Sequence, residues 1–280
     1  GASVTIIDKG RSVGGRLATR RVGTGLADHG AQFFTVRTPE FQKYVDQWLK
    51  DRIVYVWSHG WSDGSLKPPS PEQGHPRYAT YGGMNVLAKH IARNLKDIRL
   101  ETRMVTATRD EHGWAFQDED GNIFVSKAVI MTPPVPQSLT ILEDGATMLN
   151  PSDQTALESI TYAPSLTGIF WVDGKVTLPL PGAIQRKNAN VAWIADNQTK
   201  GISPDATILT VQASEKFSTQ MWSAPDDRAL NALRTQLEMY LAPGADIREG
   251  QLKRWRYASP QKIYPERCMV AKDDLSLVFA

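Results

Sequence analysis

The chain has 280 residues, with 32 Lys+Arg against 30 Asp+Glu (net charge +2), 41% hydrophobic and 22% charged residues. This is the balance of a globular protein long enough for one large domain or two mid-sized ones, and so small a net charge supplies no footprint for nucleic acid. No apolar run approaches the roughly 18 residues of a membrane span, and the single cysteine, Cys268, leaves no disulfide framework or multi-thiolate metal site and predicts a cytoplasmic protein.

The sequence opens without an initiating methionine on a strand-like run, Ser3 to Ile7, so the lack of a leader carries no weight on export. A Gly-rich stretch follows from Lys9 to Gly30. A helix is expected after Thr38-Pro39, with Thr38 as N-cap, Pro39 in the first turn, and Phe41, Tyr44, Val45, Trp48 and Leu49 on one face. Residues 53–57 read as a strand, and 62–82, rich in Pro, Gly and Ser, as a long loop. A second amphipathic helix spans about 84–96, with Leu87, Ala88, Ile91 and Leu95 inward and Lys89, Arg93 and Lys96 on a solvated face. Strands are expected at about 98–109 and 113–118, then a turn at Asp118–Asn122 with Gly121 at positive φ, and a short buried strand at 128–131 ended by Thr132-Pro133-Pro134-Val135-Pro136.

The second half differs. Strands near 166–172, 191–195, 207–213 and 246–257, with helices near 152–161 and 226–241, point to a mixed or antiparallel sheet rather than further βαβ units. The class expected is α/β: a Rossmann-like layer interleaved with an α+β second domain.

One motif carries chemistry. Val4-Thr5-Ile6-Ile7-Asp8 is followed, after six residues, by Gly14-Gly15-Arg16. An acid at the end of an apolar parallel strand is where dinucleotide folds accept the adenosine ribose hydroxyls, and a Gly pair lets the backbone approach a pyrophosphate while the Arg adds positive charge. The stretch Asp8-Lys9-Gly10 … Val13-Gly14-Gly15-Arg16-Leu17-Ala18-Thr19-Arg20-Arg21 resembles a fingerprint of the flavin-dependent amine oxidase superfamily, in its renalase-like branch. Asp28 to Phe34, Arg77-Tyr78 … Gly82-Gly83-Met84-Asn85 and Arg254 to Ala258 agree in order.

The resemblance implies non-covalent FAD, with Asp8, flanked by Lys9, on the ribose, and Gly14, Gly15 and Arg16 beside the pyrophosphate. It also implies Gly30, Ala31 and Gln32 under the flavin ring, Val105 meeting adenine through its backbone, and Thr132 and Pro133 closing the nucleotide layer. Trp255 and Tyr257, two apart on a strand, and Tyr81 are the substrate-pocket candidates; no residue is assigned as acid or base.

The implied domains are 1–37, 81–137 and 265–280 for FAD and 38–80 and 138–264 for substrate, in a p-hydroxybenzoate-hydroxylase-like arrangement. A dinucleotide fold carries Gly-x-Gly-x-x-Gly about 20 residues before the acid. That loop would precede Gly1, and the family's Gly-Asp turn would follow Ala280, so the chain reads as the interior of a longer flavoprotein.

The implied reaction is oxidation of a reduced dinucleotide, an off-pathway dihydro isomer of NAD(P)H, by hydride transfer to flavin with O2 reoxidation to H2O2. An amine oxidase or desaturase-like enzyme is the alternative, and a truncated, non-catalytic nucleotide-binding module the alternative of another class. The five histidines show no metal-ligand spacing, and Cys268 is expected as a small buried hydrophobe.

Overall fold

The computed structural model describes residues 2–63, 74–186 and 188–280. In chain order its elements are β1 (Thr5–Ile7), β2 (Thr19–Val22), β3 (Gly25–Asp28), α1 (Pro39–Lys50), β4 (Val54–Ser58), β5 (Arg77–Thr80), α2 (Asn85–Ala92), β6 (Asp97–Arg99) and β7 (Met104–Asp110). They continue with β8 (Gly113–Asp118), β9 (Ile123–Ser126), β10 (Val129–Met131), α3 (Val135–Asp144), α4 (Pro151–Glu158), β11 (Thr161–Asp173), β12 (Ala183–Gln185), β13 (Val191–Asp196) and β14 (Thr207–Ala213). The last are α5 (Glu215–Gln220), α6 (Asp226–Arg234), β15 (Asp246–Lys262), β16 (Met269–Val270) and β17 (Leu277–Phe279).

The chain forms two compact units: one of residues 1–12, 96–163 and 257–280, the other of 13–95 and 164–256. The first contains the parallel pairs β1–β6 and β10–β17 and the antiparallel β7-β8-β9 meander. Its core joins Ala107, Trp114 and Phe116 of the meander to Leu142 of α3, Leu157 of α4 and Met131, Leu277 and Phe279 of the parallel pair. α3 ends against β7 closely enough that a methyl on Gly145 would lie 2.0 Å from the Ala107 carbonyl oxygen.

The second unit holds the β2–β3 and β4–β5 hairpins, α1, α2 and most of a five-stranded sheet ordered β12-β13-β14-β11-β15, in which the β12–β13, β13–β14 and β11–β14 pairs are antiparallel. Its largest core packs Phe170, Ile194, Leu209 and Val211 of the sheet against Ala229 and Leu233 of α6.

Several expectations shift for identifiable reasons. The Gly-rich stretch contains the β2–β3 hairpin, its turn made by Gly23 at φ 55°. The expected 98–109 strand breaks after Arg99, because the amides of Glu101 and Thr102 donate to the carbonyls of Gly10 and Asp8. α1 starts as expected, the Thr38 hydroxyl accepting from the Phe41 amide at 3.3 Å, but Tyr44 is 63% exposed while Val45 and Trp48 are buried.

α2 ends at Ala92, leaving Ile91 and Leu95 exposed rather than inward. β10 buries Met131 but leaves Ile130 64% exposed, and α3 begins at Val135 after a short link, with Pro136 in the first turn, where no amide partner is needed. The second-half helices stop earlier than expected, at Glu158 and Arg234, and the last long strand extends to Lys262. Within 62–82 the segment Arg77–Thr80 is a strand, and 64–73 lie outside the described residues. Cys268 is exposed, not buried.

Replacing Gly145 by Ala forces its Cβ onto the Ala107 carbonyl, so Gly145→Ala is expected to destabilise by about 1–3 kcal/mol. The exposed Ile123→Ala should change stability by less than about 0.5 kcal/mol, and urea unfolding measures both variants.

Candidate functional site

In the second unit, the segment from Asp28 to Phe33 is fixed by a buried ion pair. The Lys200 ammonium donates to Asp28 Oδ2 at 2.6 Å, and both side chains are fully buried. Asp28 Oδ1 accepts from the Thr19 hydroxyl at 2.5 Å and from the Met84 amide at 2.8 Å. Lys200 also donates to the Gln32 carbonyl at 2.7 Å and lies 4.5 Å from the Trp57 ring centre. Burial pulls the Lys200 ammonium below the ordinary lysine range, and the facing Asp28 carboxylate counters it. Tyr55, whose hydroxyl donates to the Lys200 carbonyl at 2.5 Å, is pushed above the ordinary phenol range by burial first and then by Asp28.

The backbone after Asp28 runs against the Gly14–Leu17 turn. Ala31 N–H donates to Arg16 O at 2.8 Å, and a methyl on Gly30 would lie 2.0 Å from that same oxygen. Only glycine passes there. Gln32 donates from Nε2 to the Asp28 and Gly30 carbonyls, while its Oε1 is buried without a partner. The His29 ring stacks on Trp255 at 5.5 Å, and Trp255 Nε1 donates to the His29 carbonyl at 2.9 Å. Burial, then Lys253 and Arg20, lower the His29 pKa to about 4, so His29 is neutral at pH 7.

Gly30, Ala31, Gln32 and Phe33 form one wall of a cavity of about 340 Å³; Gln185, Arg186, Ala192, Trp193 and Gln212 form the rest. Behind Phe33 and Trp193 stand Trp61, at 5.2 and 4.9 Å, and Trp57. Gly14 and Gly15 both have positive φ, 119° and 47°, and a Cβ on Gly15 would meet nothing within 4 Å, so the turn presents an open face beside the exposed Arg16. Tyr81, 53% exposed, packs on Tyr55 at 4.7 Å and, like Trp255, is not part of the cavity wall.

In the first unit Asp8 ends β1. Its Oδ1 accepts the Gly10 amide at 2.7 Å, and its own N–H donates to Arg99 O at 2.8 Å. Lys9 reaches Gln137 at 3.4 Å. Val105 is the extra residue of a bulge, the register stepping from Met104↔Asp118 to Thr106↔Gln117, which takes its backbone out of the ladder pairing. Thr132 and Pro133 link β10 to α3, and Tyr257 meets Tyr162 edge-on at 5.6 Å.

The first unit thus has a carboxylate just past a strand end and a bulge outside the ladder pairing; the second has a glycine turn, a glycine-only crossing and an amide oxygen without a partner among the described residues. Sequence reasoning assigned no site role to Asp28, Lys200, Phe33, Trp193, Arg186 or the two further glutamines of the wall, Gln185 and Gln212. Asp28 adjoins the His29-Gly30 motif and could have been found by it, whereas Lys200 sits in a turn with no motif around it.

The NAD(P)-binding Rossmann-like domain model matches residues 1–48, and the flavin containing amine oxidoreductase model matches 56–265. Mouse (Mus musculus) renalase is 23% identical over 253 residues, covering 85% of this chain and 71% of that protein. A structure from Exiguobacterium sp. 255-15, provisionally named a protoporphyrinogen oxidase, superposes with a TM-score of 0.66 at 13% identity over 93% of this chain and 82% of the other. Putrescine oxidase bound to putrescine gives 0.61 at 14% identity over 90% and 79%. The chain is that of an FAD-dependent oxidoreductase. The chain belongs to the flavin containing amine oxidoreductase family and is similar to renalase within it.

Removing one partner of the buried pair strands the other charge. Lys200→Met is expected to cost about 3–5 kcal/mol in urea unfolding, and adding Asp28→Asn should recover part of that loss, giving a double mutant more stable than the sum of the single changes.

Proposed function

We propose that this flavoenzyme oxidises reduced dinucleotides, specifically off-pathway dihydro isomers of NAD(P)H, with O2 as terminal acceptor. The balance is one dihydronicotinamide, one O2 and one proton giving NAD(P)⁺ and H2O2. Bound FAD supplies the two-electron acceptor. The observation that carries the reading is the composition of the cavity wall: Phe33 and Trp193 for a planar ring, three glutamines and Arg186, and no carboxylate among the described lining residues. A cationic amine would find no counter-charge there, and the nearby Asp28 is already paired with Lys200. That composition disfavours the amine oxidase alternative.

The chain's own residues have three tasks in this reading. Gly30 to Gln32 give a rigid floor held by Lys200 and Arg16, Phe33 and Trp193 flank the reacting ring and exclude water, and Gly14, Gly15 and Arg16 receive phosphate charge. Neutral His29 supplies no proton near pH 7, in keeping with a hydride transfer that needs no acid or base side chain. Asp8, with Lys9 beside it, is assigned to the adenosine ribose, Val105 to adenine, and Thr132 and Pro133 to closing the nucleotide layer. Trp255, Tyr257 and Tyr81 stay assigned to substrate contacts. FAD binding is assigned to 1–37, 81–137 and 265–280 and substrate binding to 38–80 and 138–264, interleaved along the chain as in p-hydroxybenzoate hydroxylase. The cytoplasmic assignment rests on cysteine usage, a single Cys268 that leaves no internal disulfide.

The visible absorption spectrum tests this directly. The purified, FAD-supplemented protein should show a flavin band that bleaches anaerobically with dihydronicotinamide isomers and persists with amines; bleaching by amines alone would reverse the assignment. Asp8→Ala should weaken FAD retention roughly 10- to 100-fold, read as flavin content after gel filtration, because a ribose held by a carboxylate loses a charge-assisted bond.

A further inference from the structure

The cavity wall contains a cation with nothing to hold. Arg186 follows β12, and its backbone amide donates to the Ala192 carbonyl at 2.8 Å, which fixes where the side chain starts. Its Nε and Nη2 atoms are buried and make no hydrogen bond among the described residues. These two nitrogens form one edge of the guanidinium, the edge that grips a carboxylate or phosphate through two parallel hydrogen bonds. An arginine cannot shed its proton to escape burial, so an unmade pair of donors in such a place is costly unless a ligand satisfies them.

Other unused groups share the wall. Among the described residues Trp193 Nε1 is a buried donor without a partner and Gln32 Oε1 a buried acceptor without one, while Gln212 Nε2 is committed to the Gly30 carbonyl at 2.8 Å. The vacant set of the lining residues is thus three donors, two of them on one guanidinium edge, and one acceptor, beside the faces of Phe33 and Trp193. Such a set suits a planar ligand with an anionic group of two or more oxygens.

We propose that Arg186 is a specificity-determining residue that binds an anionic oxygen group, phosphate or carboxylate, on the substrate through its Nε–Nη2 edge. The proposal deepens the function given above and rests on that reading for the identity of the substrate, not for the binding of the anion. A phosphate would be that of a nucleotide, and a carboxylate that of an aromatic acid; the guanidinium edge recognises both by the same bonds.

Redox-inert probes separate the sources. Calorimetric titration of the flavin-loaded protein with phenyl phosphate against phenol, and with benzoate against benzamide, measures the preference for each anion over its neutral counterpart. The expected result is a preference of about 10- to 100-fold for at least one anion, abolished in Arg186→Gln and reduced about tenfold in Arg186→Lys, which keeps the charge but loses the edge. A phosphate-only preference identifies the nucleotide source, and a carboxylate-only preference the aromatic acid.

Equal affinity for anion and neutral probe in both pairs of the unaltered protein overturns the proposal, whether or not either variant folds. So does a preference that survives in Arg186→Gln. Loss of flavin from Arg186→Gln with an unchanged melting temperature also overturns it, since the guanidinium would then serve the cofactor. An Arg186-dependent anion preference in a protein that dihydronicotinamide isomers fail to bleach would leave Arg186 standing and remove the proposed function. Bleaching without any anion preference would do the reverse.

Discussion

The Asp28–Lys200 pair is the constraint around which the candidate site is arranged. Two opposite charges are held fully buried at 2.6 Å, an arrangement tolerable only because each is satisfied several times over. Asp28 takes bonds from Thr19 and Met84, drawing together β2 and the start of α2; Lys200 binds the Gln32 carbonyl and lies over Trp57. Asn197 and Thr210 complete the frame, the first accepting from the Asp28 amide and the second donating to its carbonyl. The Asp28–Phe33 segment is thereby fixed at both ends, which is what a surface opposite a planar reacting ring requires.

That fixed segment explains the distribution of unmet polar groups. Gln32 spends its Nε2 on the local backbone and leaves Oε1 free, and Arg186 and Trp193 leave donors free across the same cavity. Buried polar groups in folded proteins are mostly paired, and four of the ten that lack a partner among the described residues belong to side chains lining this one aromatic cavity, a clustering we read as the mark of a binding site. The tetrad of Phe33, Trp57, Trp61 and Trp193 supplies stiffness, with ring centres 4.6 to 6.0 Å apart, and Arg77 covers Phe33 and Trp61 from another side.

Local signals carried much of the fold. Thr38-Pro39 starts α1 where capping chemistry says it should, and β8 spans Gly113–Asp118 with Gly121 at φ 85° in the turn after it. The turn works because Asp118 Oδ1 accepts the amides of Asp120 and Asn122. Failures cluster where distant backbone intervened: β6 and β7 are separated because Glu101 and Thr102 bond to the loop after β1. The β2–β3 hairpin was hidden because a glycine-rich composition reads as a loop until Thr19 to Val22 find Gly25 to Asp28 as partners.

By itself the sequence determined the local chemistry: an acid at the end of the first strand, a glycine turn beside an arginine, and a glycine at position 30 inside a motif of recognisable type. These depend on neighbours a few residues away, and spacing records them. Only the tertiary structure decided which groups share a space. Lys200 is 172 residues from Asp28, and Arg186 and Trp193 reach the Gly30–Phe33 wall through the register of β12, β13 and β14. The burial that leaves Arg186 without a partner and gives Asp28 its ion pair is a property of packing between remote strands, which no local pattern encodes.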